Sequence, residues 1–181
     1  MEIISKLAKD LSDPEIDQIN ALTEATWPHT KAENTTKDIQ RSNFIDSNPE
    51  KTSILGLVND RIVAYAEVFP RAITIDGAAQ LIMGLAAVCV DQSLRGQGYG
   101  KDMTLAAFEF VNRREYEVSL FQTGVPEFYK KLTCKEIKNQ VVNSHNKAAP
   151  TKNPFWDNHI MIYPKDFQIN KGPIDLLGCG Y

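Results

Sequence analysis

A glycine-rich turn between two cations, RGQGYGK at residues 95–101, is the stretch of the sequence best suited to binding chemistry. An apolar run precedes the turn and an amphipathic stretch follows it, which is the order strand, turn, helix. Bare backbone N–H groups and a helix N-terminus both attract anions, and an arginine can pair with two phosphate oxygens at once. The combination favours a pyrophosphate site over glycines that only turn the chain.

The spacing of the glycines excludes two common phosphate-binding motifs. A dinucleotide fingerprint reads GxGxxG after the first strand of a βαβ unit, whereas Gly96, Gly98 and Gly100 alternate and follow about the fourth predicted strand. A P-loop requires GxxxxGK followed by Ser or Thr, and the turn does not match that pattern either.

The turn and the strand before it resemble the acetyl-CoA motif of the GCN5-related N-acetyltransferases (the GNAT superfamily), which is an apolar strand followed by Arg-Gly-x-Gly-x-Gly/Ala. A second segment, QTGVPEFYKKLTC at residues 122–134, resembles that family's other signature, an asparagine seven residues before a tyrosine. Here Gln122 stands in the place of the asparagine, and Tyr129 is the tyrosine. The order of the predicted helices and strands before the turn also fits that family, so the resemblance covers roughly three-quarters of the chain.

The resemblance implies an acetyl-CoA-dependent N-acetyltransferase, with acetyl-CoA as cosubstrate and no metal. The turn would hold the coenzyme pyrophosphate, and the strand edge would pair with the amides of the pantetheine arm, as in β-augmentation. The cofactor-binding residues that it implies are Val88, Cys89, Val90, Arg95, Gly96, Gln97, Gly98, Tyr99, Gly100, Lys101 and Gln122.

Direct attack by a neutral amine in a ternary complex implies an acid, an oxyanion donor and a base. Tyr129 has the family's position for the acid that protonates the leaving thiolate, although a packing tyrosine is the alternative. A backbone N–H near Val90 could bind the oxyanion. Glu67 is the candidate base, because a carboxylate on an otherwise apolar strand face is unusual, but a glutamate on an edge strand facing water would explain it equally well. Cys89 is interpreted as a buried strand residue rather than a nucleophile.

The acceptor is expected to be a small-molecule amine, aminoglycoside-like or polyamine-like. Segments 153–164 and 172–181 resemble the C-terminal part of aminoglycoside 2'-N-acetyltransferases and of nodulation-type acyltransferases. In the polar loop at residues 143–158, Trp156 and Asp157 could stack on and pair with a cationic acceptor, or Trp156 could be a buried anchor of the loop. A protein N-terminus or lysine is an alternative acceptor. The departures from the second motif at Gln122 and at Thr133-Cys134 also allow a non-catalytic coenzyme A-binding module.

The composition favours one soluble domain over residues 1–181. With 181 residues, 43% of them hydrophobic, the chain can bury a sizeable core, and a net charge of −3 argues against a nucleic-acid partner. No apolar run has the length of a membrane span, so a cytoplasmic protein that does not enter membranes is expected. Three scattered cysteines suggest neither a disulfide framework nor a zinc site. A homodimer is compatible with these features.

The pattern of elements predicts a mixed α/β (α+β) fold, GNAT-like, with a central, largely antiparallel sheet flanked by helices. Ser12 and Glu15 have capping-box spacing at the start of a helix, and a second helix is predicted from about Thr35, carrying Ile39, Phe44 and Ile45. The other predicted helices cover the stretch with Met103, Ala106, Ala107 and Phe110, and residues 126–132. The predicted strands are 53–58, 61–69, 71–75, 78–90 with a bulge at Gly84, 117–122, 134–142 and 159–164.

Overall fold

The computed structural model describes residues 1–28 and 50–181. The predicted second helix, with Ile39, Phe44 and Ile45, lies outside the described residues. The described helices are α1 (Asp13–Thr26), α2 (Tyr99–Asn112) and α3 (Pro126–Lys130). The strands are β1 (Glu2–Leu7), β2 (Thr52–Val58), β3 (Arg61–Ile75), β4 (Ala78–Val90), β5 (Ser119–Thr123), β6 (Lys135–Ile137), β7 (Val141–Val142), β8 (His159–Tyr163) and β9 (Ile174–Asp175).

The strands follow the order β1-β2-β3-β4-β5-β8-β6, and β9 pairs with both β3 and β7. Most pairs with a defined register are antiparallel, whereas β4 with β5 and β7 with β9 are parallel. The predicted fold class, a mixed and largely antiparallel sheet with flanking helices, is therefore confirmed.

The chain divides into two compact units, which are described separately. The first unit contains residues 1–69 and 86–107, and the second contains residues 70–85 and 108–181. Strands β3 and β4 each contribute residues to both units. The single domain over residues 1–181 stays a prediction.

In the first unit, α1 packs its apolar side on strands β2, β3 and β4. The buried cluster consists of Leu11, Ile16, Ile19, Leu22, Leu55, Ile62, Tyr65 and Cys89. The helix begins where the sequence predicts, because the Glu15 carboxylate accepts hydrogen bonds from the backbone N–H (2.9 Å) and the hydroxyl (2.9 Å) of Ser12. The same carboxylate pairs with Lys6 on β1, at 2.7 Å.

The two hairpin turns, at residues 59–60 and 76–77, have backbone conformations that Asn, Asp and Gly tolerate best. Asn59 and Asp60 have φ of 50° and 59°, and Asp76 and Gly77 have φ of 52° and 79°. Positive φ at both central residues matches the right-handed twist of the strands that such a turn joins. Strand β3 runs through Pro70 without a break, so the two strands predicted at 61–69 and 71–75 are one.

One irregularity in β4 falls at Ala87, which has φ of 53°. Gly84 pairs with Leu120 of β5. The bulge at Gly84 stays a prediction.

The second unit has its own core, to which strands β3 to β9 all contribute. Its buried cluster consists of Ile73, Ile75, Ile82, Val118, Leu120, Ile137, Val141, Phe155, Ile160, Ile162, Ile174 and Leu176. The ring of Phe108 on α2 stacks on the ring of Tyr163, with centroids 3.8 Å apart. In the described part of the chain, no helix has the length and apolar character needed to cross a membrane.

Candidate functional site

The glycine turn has a backbone that only glycine adopts readily. Gly96 and Gly98 have φ of 83° and 89°, in the region that L side chains rarely enter. A methyl group added to either residue would meet no atom within 4 Å, so open space lies next to both. The turn therefore presents its backbone directly to any molecule that approaches.

Helix α2 begins directly after the turn and leaves its first N–H groups free. The first bond of the helix runs from the Asp102 N–H to the Gly98 carbonyl, at 3.1 Å. Among the described residues, the backbone N–H groups of residues 96–101 have no acceptor. Together with the positive end of a 14-residue helix, these N–H groups form a site for an anion.

The segment that leads into the turn is held by short-range hydrogen bonds. The Asp91 carboxylate accepts from the backbone N–H (3.0 Å) and the hydroxyl (2.7 Å) of Ser93, and these bonds lower the pKa of that carboxyl. The Arg95 Nε–H donates to the Val90 carbonyl at 3.2 Å, while the residue as a whole is exposed. The guanidinium is thus tethered at one nitrogen, on a residue that directly precedes the turn.

Residues 88–90 form the end of β4 and are followed by the turn. The parallel pairing of β4 with β5 covers Met83 and Gly84, and within the described part of the chain it does not continue to Val88 or Val90. The last residues of β4 are therefore not paired with β5, although the Val90 carbonyl accepts from Arg95, and this fits the predicted contact with a pantetheine arm.

Cys89 has its side chain in the core of the first unit. The residue is 4% exposed, and burial raises the pKa of its thiol to about 12. A thiol in that state is protonated at neutral pH and is a poor nucleophile. The structure agrees with the interpretation of Cys89 as a buried strand residue, and only its backbone is left as a candidate for coenzyme contact.

Glu67 belongs to a buried polar network of the first unit. Its carboxylate pairs with Lys51 at 3.2 Å and accepts a hydrogen bond from the Tyr65 hydroxyl at 3.0 Å, and that hydroxyl lies 3.1 Å from the hydroxyl of Ser53. Strand β3 lies between β2 and β4, so the alternative of an edge-strand glutamate facing water is wrong. The role of Glu67 as base stays a prediction.

Tyr129 lies in the second unit, on α3, and is 6% exposed. Its ring contacts those of Phe121 and Phe128, with centroids 4.7 Å and 4.9 Å away. Burial raises the pKa of the phenol well above its usual range, and electrostatic interactions with Cys134 and Asp157 raise it further. No hydrogen bond is formed by its hydroxyl within residues 1–28 and 50–181, so the hydroxyl is available to an incoming group.

Gln122, also in the second unit, uses its side chain to hold two distant segments. Its Oε1 accepts from the backbone N–H groups of Trp156 (2.9 Å) and Asp157 (2.8 Å), and its Nε2 donates to the backbone oxygen of Tyr181 at 2.5 Å. This anchoring role was not expected from the sequence. The predicted contact of Gln122 with the coenzyme would have to be made alongside these three bonds.

The loop at 143–158 is anchored by Phe155, not by Trp156. Phe155 is 6% exposed and packs edge-on against Tyr181, whereas Trp156 is 72% exposed. The alternative in which Trp156 is a buried anchor is therefore wrong. Among the described residues, no cluster of three His, Cys, Asp or Glu side chains could hold a metal ion.

A sequence model of the acetyltransferase (GNAT) domain matches residues 8–136 of the chain. No curated protein sequence gives a significant match. The fold is similar to that of an aminoglycoside 6'-N-acetyltransferase in complex with coenzyme A, with a TM-score of 0.63 and 15% identity over 94% of this chain and 100% of that one.

Two further solved structures have the same fold. Escherichia coli ElaA has a TM-score of 0.58 and 17% identity over 90% of this chain and 99% of that one. A GCN5-related N-acetyltransferase from Kribbella flavida also has a TM-score of 0.58 and 17% identity, over 75% of this chain. The chain spans only 33% of the length of the Kribbella protein.

Proposed function

The chain belongs to the GNAT acetyltransferase family, and from this premise we propose that it transfers an acetyl group from acetyl-CoA to the amine of a small molecule. The observation that carries the proposal is the turn at residues 96–101, whose N–H groups have no acceptor within the described residues and in which Gly96 and Gly98 border open space. The expected enzyme class, an acetyltransferase, is confirmed at the level of the family.

The residues of the first unit fit a coenzyme pyrophosphate. The backbone N–H groups of residues 96–101 and the guanidinium of Arg95 would hold its oxygens, with Lys101 adding a positive charge. The edge of residues 88–90 that is not paired with β5 would take the amides of the pantetheine arm. When bound, acetyl-CoA supplies a thioester whose acetyl carbon accepts the amine.

The chain's own side chains would move the protons of the reaction. As the new N–C bond forms and the C–S bond breaks, the amine nitrogen loses one proton and the sulfur gains one. We assign the acceptor of the first proton to Glu67, directly or through water, and the donor of the second to Tyr129. Burial keeps the Tyr129 phenol protonated at neutral pH, as a proton donor must be.

A pair of measurements tests this function. Binding of coenzyme A is measured by calorimetry, and release of thiol from acetyl-CoA is followed with a panel of monoamines, diamines, an aminoglycoside and a lysine-containing peptide. Thiol release that depends on a small amine supports the proposal. Release with the peptide alone shifts the acceptor to proteins, coenzyme binding without any release indicates a non-catalytic module, and the absence of coenzyme binding overturns the proposal.

A further inference from the structure

We propose that Trp156 and Asp157 form the subsite that binds the acceptor, and that this subsite holds one ammonium group of a di- or polyamine while a second, neutral amine of the same molecule reacts. The inference rests on the proposed function, since it names the acceptor class of that reaction. All the residues that carry it lie in the second unit.

Trp156 presents a large aromatic face to solvent. Its side chain is 72% exposed, although the residue before it is buried in the core. Within the described part of the chain, the indole has no ring or cation partner. An exposed indole face attracts cations through its quadrupole, and tryptophan is the best of the aromatic side chains for this contact.

Asp157 follows Trp156 in the chain and supplies a carboxylate. The residue is half-buried, and in residues 1–28 and 50–181 its carboxylate accepts no hydrogen bond and pairs with no cation. Its Oδ1 lies 3.6 Å from the position that a Cβ on Gly124 would occupy, so the carboxylate lies against a part of the chain that has no side chain. A half-buried carboxylate without a partner gains most from an ammonium ligand.

The two side chains are held in place before any ligand arrives. The backbone N–H groups of Trp156 and Asp157 both donate to the Oε1 of Gln122, at 2.9 Å and 2.8 Å. On the other side, the Phe155 N–H donates to the Oδ1 of Asn153 at 2.9 Å. A pre-formed site loses less conformational entropy on binding than a mobile loop would.

The ammonium group bound by Asp157 is not the amine that reacts. Asp157 lies against Gly124, which is two residues before the helix that carries Tyr129, and its charge contributes to the raised pKa of the phenol. An amine held by this carboxylate is stabilised as ammonium, and an ammonium has no lone pair with which to attack a thioester. The acceptor therefore needs a second basic nitrogen, which a diamine, a polyamine or an amino sugar with several amines provides.

The inference is tested first by binding, without any turnover. The full chain, labelled with ¹⁵N, is titrated with 1,5-diaminopentane while the two indole N–H resonances are followed, and the Trp156→Leu variant assigns them. We expect the Trp156 resonance to shift with diamine and not with the neutral 1,5-pentanediol. Asp157→Asn should weaken diamine binding about tenfold, and Trp156→Leu several-fold. Equal responses to diamine and diol, or full affinity in Asp157→Asn, overturn the inference.

Matched substitutions separate this subsite from general effects of charge or exposure. Asp166→Asn removes an exposed carboxylate of the same unit, and Trp27→Leu removes the chain's other tryptophan, which is 43% exposed. Neither should change the affinity for diamine. A loss in Asp166→Asn equal to that in Asp157→Asn would mean that diamine binds to negative charge in general, and would overturn the subsite.

Kinetics with acetyl-CoA distinguish failure of the inference from failure of the proposed function. If the subsite is correct, Asp157→Asn raises KM for diamines about tenfold, leaves kcat within a few-fold, and leaves KM for monoamines unchanged. Transfer to diamines with an unaltered KM in Asp157→Asn overturns the inference and keeps the function. Diamine binding that depends on both residues, without transfer to any amine, supports the subsite as a ligand site and overturns the function.

Discussion

Tyr129 shows how a buried environment changes what one residue can do. The reference pKa values of about 10 for tyrosine and about 8.5 for a thiol make proton transfer from phenol to thiolate only modestly unfavourable. Burial raises the phenol pKa, so the transfer is less favourable than those values suggest. The same burial ensures that the hydroxyl carries its proton through the whole neutral range.

Replacing Tyr129 by phenylalanine should therefore slow acetyl transfer without weakening coenzyme binding. We expect kcat to fall about a hundredfold, the usual lower range for loss of a general acid, while the Kd of coenzyme A stays within about twofold. Steady-state kinetics and calorimetry measure the two quantities. Tyr163→Phe is the matched control, because it removes a hydroxyl of the same unit that donates to Asn112. A Tyr129→Phe variant with unchanged kcat would remove Tyr129 from the mechanism.

The sequence located single residues better than it assigned their contacts. Motif spacing indicated Tyr129 and the glycines, because both depend on neighbours in the chain. The three partners of Gln122 are 34, 35 and 59 residues away from it, and no local pattern could have predicted them. The sequence indicates Trp156 as a residue of interest, but it does not show which of the two adjacent aromatic residues enters the core. In the structure Phe155 is buried, and Trp156 is therefore exposed.

Among the elements, the turn between β4 and α2 depends on glycine for two separate reasons. Positive φ at Gly96 and Gly98 would strain any other residue, and the open space beside them is where a bound anion would lie. Loss of stability and loss of binding are therefore separable effects of a substitution in this turn.

Gly98→Val should abolish coenzyme binding beyond what its loss of stability explains. Gly77→Val is the matched control, because Gly77 also has positive φ (79°) and no atom within 4 Å of an added methyl group, but lies in the hairpin turn before β4. Both variants should lose roughly 1–3 kcal/mol in free energy of unfolding and should therefore unfold at a lower temperature. Calorimetry should detect coenzyme binding only in Gly77→Val, and retained affinity in Gly98→Val would refute the pyrophosphate assignment.

Elements with local signals were predictable, and those defined by distant pairing were not. The capping pair Ser12 and Glu15 and both hairpin turns stand out in the sequence because each involves residues a few positions apart. Strand β1 pairs with a distant strand, Glu2 with Leu57, and has no fully buried residue, while β9 has only two residues, so neither gives a clear periodic pattern. Continuity of β3 through Pro70 is likewise a property of its neighbours in the sheet.

At the scale of the whole molecule, the reactivity of the cysteines is a separate measure of folding in each of the two units. Cys89 and Cys134 are buried, in the first and the second unit respectively, whereas Cys179 is exposed. Burial raises the thiol pKa of both Cys89 and Cys134 to about 12. Because the thiolate is the reactive form, these two thiols are protected at pH 8 both by the low thiolate fraction and by lack of access.

Alkylation of the native protein at pH 8 should therefore modify one thiol quickly and two slowly. Mass spectrometry of a time course with iodoacetamide should place the rapid modification on Cys179, and Cys179→Ser should remove the rapid phase. In denaturant all three thiols should react at similar rates, because the raised pKa values require the folded structure. Rapid modification of Cys89 in the native protein would contradict the core of the first unit.

The exposure of both tryptophans has a practical consequence for spectroscopy. The chain contains only Trp27 and Trp156, and these are 43% and 72% exposed. Indoles that already face water emit at long wavelength in the folded state, so unfolding should shift the emission maximum little and circular dichroism would follow denaturation better. The same property makes the emission sensitive to soluble quenchers such as iodide. Protection of Trp156 from iodide by a bound molecule would thus provide an optical binding assay that needs no label.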